Sequence, residues 1–333
     1  MTTCTALESP DLYTIGWIAA LPIERAAATA LLDERHESDT NSYTWGRMGK
    51  HNIVIASLAA GVYGTTSAAT TASSLLSSFP QIKIGLLVGI GGGIARPDDG
   101  ADIRLGDIVV SQPVGASGGV VQYDLAKAKS NNTRERKDFL NRPPLVLLHA
   151  LAALQAEQPI KGFKVPRLLE EMWKVYPLMA KSTKSVPGFV HQGSENDRLF
   201  NPSHQHAGGR DCHGCDLKEE VQRDMRDSTD PEVFYGIIAS GNTLVKDAAV
   251  RDQIVEYIGE GCLCVEMEAA GLMNHFPCLV IRGICDYADS HKNDRWQSYA
   301  AATAAAFGKE LLGYVPVKIL QETRRAVDLL QSS

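Results

Sequence analysis

The feature that most constrains this chain is a series of short, almost continuous apolar runs, each closed by glycine, proline or an acid. They are YTIGWIAAL from Tyr13, IKIGLLVGI, LGDIVVSQPV, VFYGIIASG and PCLVIRGICD. Runs of this length read as buried strands. Segments with helical spacing lie between them: ERAAATALLDE after Pro22, a small-residue stretch after GVYG, and the alanine-rich RWQSYAAATAAAFGKELLGYV. YTWGRMGKHNIVIASLA alternates enough to form a hairpin. Strands alternating with helices in this way argue for an α/β fold around a central sheet.

With 333 residues, 44% of them hydrophobic, the chain can bury a large core. From about Ser130 to Pro231 the composition changes. NNTRERKDFLNRPP is polar, LVLLHALAALQ and RLLEEMWKVYPLMA look like amphipathic helices, and HQHAGGRDCHGCD is loop-like. The strand-and-helix pattern resumes with VFYGIIASGNTLV, so one domain over residues 1–333 with an insertion at about 130–231 is expected.

Charge narrows the function. The 33 basic and 39 acidic residues are interspersed and sum to −6, so no basic stripe exists to hold a phosphate backbone, and nucleic acid is excluded as a partner. The opening MTTCTALESPDLYTIGW has no basic-then-apolar leader, and no apolar run reaches the roughly 18 to 20 residues of a membrane helix. A soluble cytoplasmic protein with no membrane partner is expected. Seven scattered cysteines, with Cys262, Cys264, Cys278 and Cys285 in apolar surroundings, fit reduced thiols. His204, His206, Cys212, His213 and Cys215 are zinc-compatible types around one C-x-x-C, but the second ligand pair lacks a standard spacing. A mobile loop fits their glycines equally well, and no metal is assigned.

Acids then mark the strand ends. In VEMEAAGLMNHFPCLVIRGICDYAD, Glu266 and Glu268 precede what reads as a helix, and Asp286 and Asp289 follow a strand. ALPIE (20–24), GVYG (61–64), GIGGG (89–93) and CDYAD (285–289) each begin where a predicted strand ends, the place where open α/β sheets bind ligands. Gly91 and Gly92 would let backbone approach a bound group closely, although a tight turn explains GIGGG as well. Ile94 stands where a dinucleotide fingerprint needs glycine, and there is no phosphate-loop motif. Glu24, at the start of a helix, could simply favour the helix N-terminus. Asp286, directly after LVIRGI, must cap, pair or act, with Arg282 a structural partner for one of the acids. Glu266 and Glu268 point to one side if the segment is extended and diverge if a helix begins there.

Taken in order, IGWIAALPIE, GVYG, VGIGGGI, LGDIVVS, IASGNTLV, VEMEAAG and IRGICDYAD resemble the nucleoside phosphorylase and nucleosidase superfamily, and most of all its fungal purine nucleoside phosphorylase-like branch. The resemblance covers about residues 13–125 and 233–315. It implies a three-layer α/β/α sandwich around a mixed, partly barrel-like sheet. It also implies that Asp286 gives a proton to purine N7, with Cys285 where serine is usual. Met267 would lie under the sugar, and Glu268 would bind the ribose hydroxyls with Glu266 beside it. Leu244 and the backbone of Val245 would flank the base, Asn242 would replace an acid, and Trp296 would close over the 5′ side.

Glu24 falls where phosphorylases carry an arginine for phosphate and methylthioadenosine nucleosidases a glutamate that activates water. A carboxylate repels a phosphate dianion but can take a proton from water. The resemblance therefore implies a hydrolase acting on the N-glycosidic bond of a purine ribonucleoside such as adenosine, inosine or guanosine. Water would be co-substrate, no cofactor would be needed, and the protein would be a homo-oligomer serving nucleoside catabolism and purine salvage. Two rivals are phosphorolysis, for which Arg25 could turn toward phosphate, and a non-catalytic nucleoside sensor.

Overall fold

The computed structural model describes residues 9–37, 42–128, 134–136, 139–183, 186–209, 211–259 and 261–331. Cys4 and the start of the expected insertion, Ser130 to Thr133, lie outside them. The strands are β1 (Ile15–Ala19), β2 (Glu34–His36), β3 (Tyr43–Met48), β4 (His51–Ser57), β5 (Ile84–Gly93), β6 (Ile108–Ser111), β7 (Val120–Gln122), β8 (Ala126–Ala128), β9 (Arg134–Arg136), β10 (Val233–Ser240), β11 (Cys262–Glu266) and β12 (Cys278–Asp286). The helices are α1 (Pro22–Ala30), α2 (Thr65–Ser78), α3 (Leu145–Lys161), α4 (Val165–Val175), α5 (Ala248–Ile258), α6 (Gln297–Leu312), α7 (Val317–Glu322) and α8 (Ala326–Gln331). Among the described residues no helix is long and apolar enough to cross a membrane.

One mixed sheet runs through both halves of the sequence. β4, β1, β5 and β12 are parallel neighbours, and the antiparallel β3 and β2 extend the β4 edge. On the other side β12 pairs with β6, β6 with β10 and β10 with β11. β11 then returns to β5 through Cys264 opposite Gly93 and Val265 opposite Gly92. β5, β12, β6, β10 and β11 thus close a five-stranded barrel with an open extension, the partly barrel-like α/β arrangement that the resemblance implies. β7 pairs with β10, and β8 with β9 forms a separate ribbon.

The alanine-rich stretch becomes α6, buried almost throughout. Its small side chains let the helix lie close on β12: a methyl group at Gly283 would collide with the Ala300 carbonyl. Phe276 is fully buried in the same manner, its ring filling the space that side chains at Gly16 and Gly85 would occupy.

Two local expectations change. GIGGG is neither a loop nor a tight turn but the last half of β5, and none of its glycines has positive φ. These residues are glycine because the barrel wall is crowded. Side chains at Gly89, Gly91 and Gly92 would meet Glu24 and Arg282, Cys264, and Asp286 respectively. After Glu268 the chain makes only a 3-10 turn, Ala269–Gly271, instead of a helix. A side chain at Gly271 would strike the Thr65 carbonyl, and Pro277 cannot continue a helix, so the stretch is too short to propagate.

The region between β9 and β10 contributes α3 and α4, and α4 ends before Pro177. Most of the described residues between 177 and 231 are irregular, and arginines of this stretch tie it to itself and to the rest of the fold. Arg226 donates to both oxygens of the buried Asp107 at 2.8 Å, and Arg223 reaches Asp197 at 3.1 Å and the Tyr287 hydroxyl at 2.9 Å. These contacts bring the irregular segment against the loop that follows β12.

Candidate active site

The ends of β1, β5, β11 and β12 surround a cavity of about 270 Å3. Behind the cavity wall lies Arg282 of β12, which is wholly buried. Its guanidinium donates to Glu266, to Glu268 Oε2 at 3.1 Å and to the Ile90 carbonyl at 3.3 Å. The sequence reading gave Arg282 one acidic partner; the structure gives it two. Glu266 also accepts the Glu268 and Ala269 backbone N–H groups at 3.1 Å. Its carboxylate therefore braces the turn, although the residue stands on the cavity wall.

Glu268 is less committed. Besides Arg282 it accepts, among the described residues, only a long bond, 3.4 Å, from the Gly64 N–H at the start of α2. Gly64 has φ of 100°, which favours glycine, and this turn aims the amide at the carboxylate. Burial raises the Glu268 pKa to about 7, Arg282 opposes the rise, and the neighbouring Glu266 and Glu24 add to it.

Glu24 sits at the third position of α1 behind Pro22 and is buried. One carboxylate oxygen accepts the Ala20 and Leu21 N–H groups at 2.6 and 2.9 Å, and the other accepts the Ile90 N–H at 2.8 Å. Capping and cavity-lining are thus the same arrangement, because the helix it caps begins at the strand end that forms the cavity. Burial raises its pKa, against Arg282 and the three amides. Arg25, next in sequence, points elsewhere: its guanidinium donates to Thr44 and Ser57 hydroxyls at 3.1–3.2 Å.

Asp286 ends β12 on the opposite wall. Oδ1 accepts the Ala288 N–H at 2.9 Å, and Oδ2 accepts from the Cys285 thiol at 3.1 Å and from the Lys292 ammonium. Ala288, with φ of 52°, is the one non-glycine residue of positive φ among those described, a strained turn that fixes the carboxylate. Asp289 faces a second cavity of about 330 Å3 behind Asp286, which the 195–220 segment lines from the other side.

Of the remaining sequence candidates, Gly91, Gly92, Leu244, Val245 and Met267 are on the cavity wall, with Leu244 exposed at its rim beside Tyr63. Asn242 and Trp296 are not. The Asn242 amide is taken up by Thr65 at 3.0 Å and Asp124 at 3.1 Å, using its ability to accept and donate at once. Trp296 is completely buried, its indole N–H on the Asn196 carbonyl at 3.1 Å and its ring edge-to-face with His191. Sequence reasoning missed Tyr63, Lys246, Lys292, Asp294 and Gln297, which also line the cavity. Two of them carried a signal: Tyr63, inside the GVYG loop at a strand end, and Lys292, a cation six residues beyond Asp286 in CDYADSHK.

No protein-family model matches the sequence. A Hyaloscypha variabilis protein described as nucleotide-binding leucine-rich repeat (NLR)-like is 43% identical over 323 residues, which are 95% of this chain and 31% of that protein. The Escherichia coli ATP nucleosidase Cap17 is 24% identical over 310 residues, covering 89% of this chain and 50% of that one. The chain therefore spans from about a third to half the length of these relatives. Among solved structures, the 5′-methylthioadenosine/S-adenosylhomocysteine nucleosidase of Neisseria meningitidis superposes with a TM-score of 0.56 at 16% identity, covering 90% of this chain and 99% of its own. The futalosine hydrolase of Helicobacter pylori gives 0.55 at 17%, covering 92% and 99%. The chain therefore shares the fold of these solved nucleoside-hydrolysing proteins.

Proposed function

We propose that the protein hydrolyses the N-glycosidic bond of a purine ribonucleoside, releasing the free base and ribose. The observation that carries this reading is the placement of Glu24: a buried carboxylate fixed by three backbone amides on the wall of the cavity that Asp286 and Glu268 also line. Arg25, the nearest cation in sequence, is turned to Thr44 and Ser57, so it does not offset that negative charge for an entering phosphate.

The purine lies between Leu244, Val245 and the Met267 side, with N7 toward Asp286. The Asp286–Lys292 pair supplies the proton that N7 takes as the C1′–N9 bond breaks, so the base departs neutral. Positive charge grows on the ribose, and Glu268, held by Arg282 beside Glu266, stabilises it. The oxygen of a water molecule bonds to C1′, and Glu24 accepts the proton that water loses. Glu24, Glu266 and Glu268 share one buried guanidinium, an excess of negative charge suited to a cationic transition state.

A second reading keeps the same bond but places a phosphate chain on the ribose 5′ carbon. It is favoured by the relationship to the ATP nucleosidase and by Lys246 on the cavity wall. Incubation of the purified protein with a panel of purine nucleosides and their 5′-phosphates, in buffer with and without orthophosphate, tests all of this. Free base plus ribose, or ribose phosphate carrying only the 5′ group, is the expected outcome without orthophosphate. Base release that requires orthophosphate and yields ribose 1-phosphate would make the protein a phosphorylase. Saturable binding with no base release would make it a sensor.

A further inference from the structure

Behind Asp286 the irregular segment and the β12 loop bring five histidines and cysteines together. His204, Cys215 and His291 present their ligand atoms within 4.8 Å of one another, and so do His206, Cys212 and Cys215. Cys215 belongs to both trios. The sequence cluster contained four of the five; His291 comes from the other side of the fold, between Ser290 and Lys292. His213, a fifth member of that sequence cluster, stands apart and pairs with Asp211 at 2.9 Å.

His291 is 6% exposed, yet neither ring nitrogen has a hydrogen-bond partner among the described residues, and the same holds for the buried Nε2 of His204. Two imidazoles left in this condition are costly, since a buried polar atom without a partner loses its hydration for nothing in return. The rings are also held in place. Phe200 stacks on His291 at 4.1 Å and 11°, and His204 and His291 stack at 5.4 Å. Asp289 Oδ2 stands 3.5 Å from His291 Nδ1, where a carboxylate commonly orients a metal-binding imidazole and leaves Nε2 to the metal. His206 differs, because its Nε2 meets the Asp211 carbonyl at 3.0 Å and its Nδ1 the Gly208 N–H at 3.1 Å.

We infer that His204, Cys212, Cys215 and His291 bind a structural zinc ion that fastens the irregular segment to the loop carrying Asp286 and Lys292. Two thiols and two imidazoles are a common set for tetrahedral zinc, whose ligand atoms stand roughly 3.3 to 3.8 Å apart; the His204, Cys215 and His291 atoms need only close in, while Cys212, which meets Cys215 in the second trio, turns toward the two imidazoles to complete the set. His206 stays outside the set and anchors the loop through its backbone N–H on Ser290 at 3.0 Å. The inference holds whether or not the neighbouring cavity is a nucleosidase site.

The test is metal content of the untagged protein, purified under reducing conditions and reconstituted with zinc or cobalt. About one zinc per chain is expected, with thiolate-to-cobalt charge-transfer bands in the cobalt form and a lower melting temperature after chelation. Cys215→Ser and His291→Ala should lose the ion, and His213→Ala should keep it. Should the two variants fail to fold, the cobalt spectrum of the unaltered protein decides. Cobalt binding without thiolate bands, absence of bound zinc with equal thiol reactivity before and after zinc addition, or zinc retained by both variants would overturn the assignment. So would a Cys212–Cys215 disulfide in protein purified without oxygen.

Discussion

The Lys292 ammonium donates to Asp286 Oδ2, so the acid assigned to purine N7 is one half of an ion pair at the cavity wall. The resemblance implies an acid that gives a proton to N7; the structure adds its cation. If the pair shares the transferable proton, both halves matter. Asp286→Asn and Lys292→Met should each lower kcat by about a hundred- to ten-thousandfold, the usual worth of a general acid, while a bound nucleoside analogue is retained. Steady-state base release and calorimetric binding measure the two effects. Equal turnover in Lys292→Met and the unaltered protein would show that the lysine is only a structural counter-ion.

Glu24→Gln keeps the shape of the side chain but removes the proton acceptor. Its carbonyl oxygen can still accept the amides on one side, but its NH2 must face an N–H donor on the other, so the melting temperature should fall modestly while hydrolysis falls by about a hundredfold or more. Melting temperature and single-turnover base release, measured side by side, separate the two. A variant that melts normally and hydrolyses at full rate would remove Glu24 from the reaction.

The barrel and the acids at its mouth were legible because they depend on local facts: apolar runs long enough for strands, and charges at their ends. GIGGG was misread as a loop because glycine signals both turns and crowding, and only the packing of Glu24, Cys264 and Asp286 against β5 shows which. Trp296 and Asn242 fell outside the cavity for a related reason. Their partners, Asn196, Thr65 and Asp124, are far away in sequence, so nothing local reveals that their polar atoms are already used. His291 was invisible as a member of the histidine and cysteine cluster because some 75 residues separate it from Cys215.

Gly92 offers a test of positioning alone. A Cβ there would stand 2.9 Å from both Asp286 Oδ1 and Ala288 Cβ, and neither backbone strand can retreat far inside a closed barrel. Gly92→Ala should leave the strand paired but shift the acid, and misplacement of about 1 Å can cost about a hundredfold in rate. Circular dichroism should match the unaltered protein while kcat drops. Unchanged kcat would mean that the Asp286 position is not critical.

Glu268 gives a pH dependence with a defined sign. Its folded pKa of about 7 lies above the ordinary carboxylate value of 4.5, so between those limits the native state keeps a proton that the unfolded chain has lost. The stabilisation is complete below the unfolded value and disappears as pH rises through 7, with a slope of up to about 1.4 kcal/mol per pH unit from this one group. The buried Glu24, also raised, acts in the same direction. Activity should run the opposite way, because only the ionised Glu268 stabilises a cationic ribose: kcat/KM should climb toward a plateau above about pH 7. Glu268→Gln should flatten part of the stability slope and lower the plateau. Denaturant melts and initial rates across pH 5 to 9 record both trends, and a Glu268→Gln profile that coincides with the unaltered protein in each would assign the titration to another group.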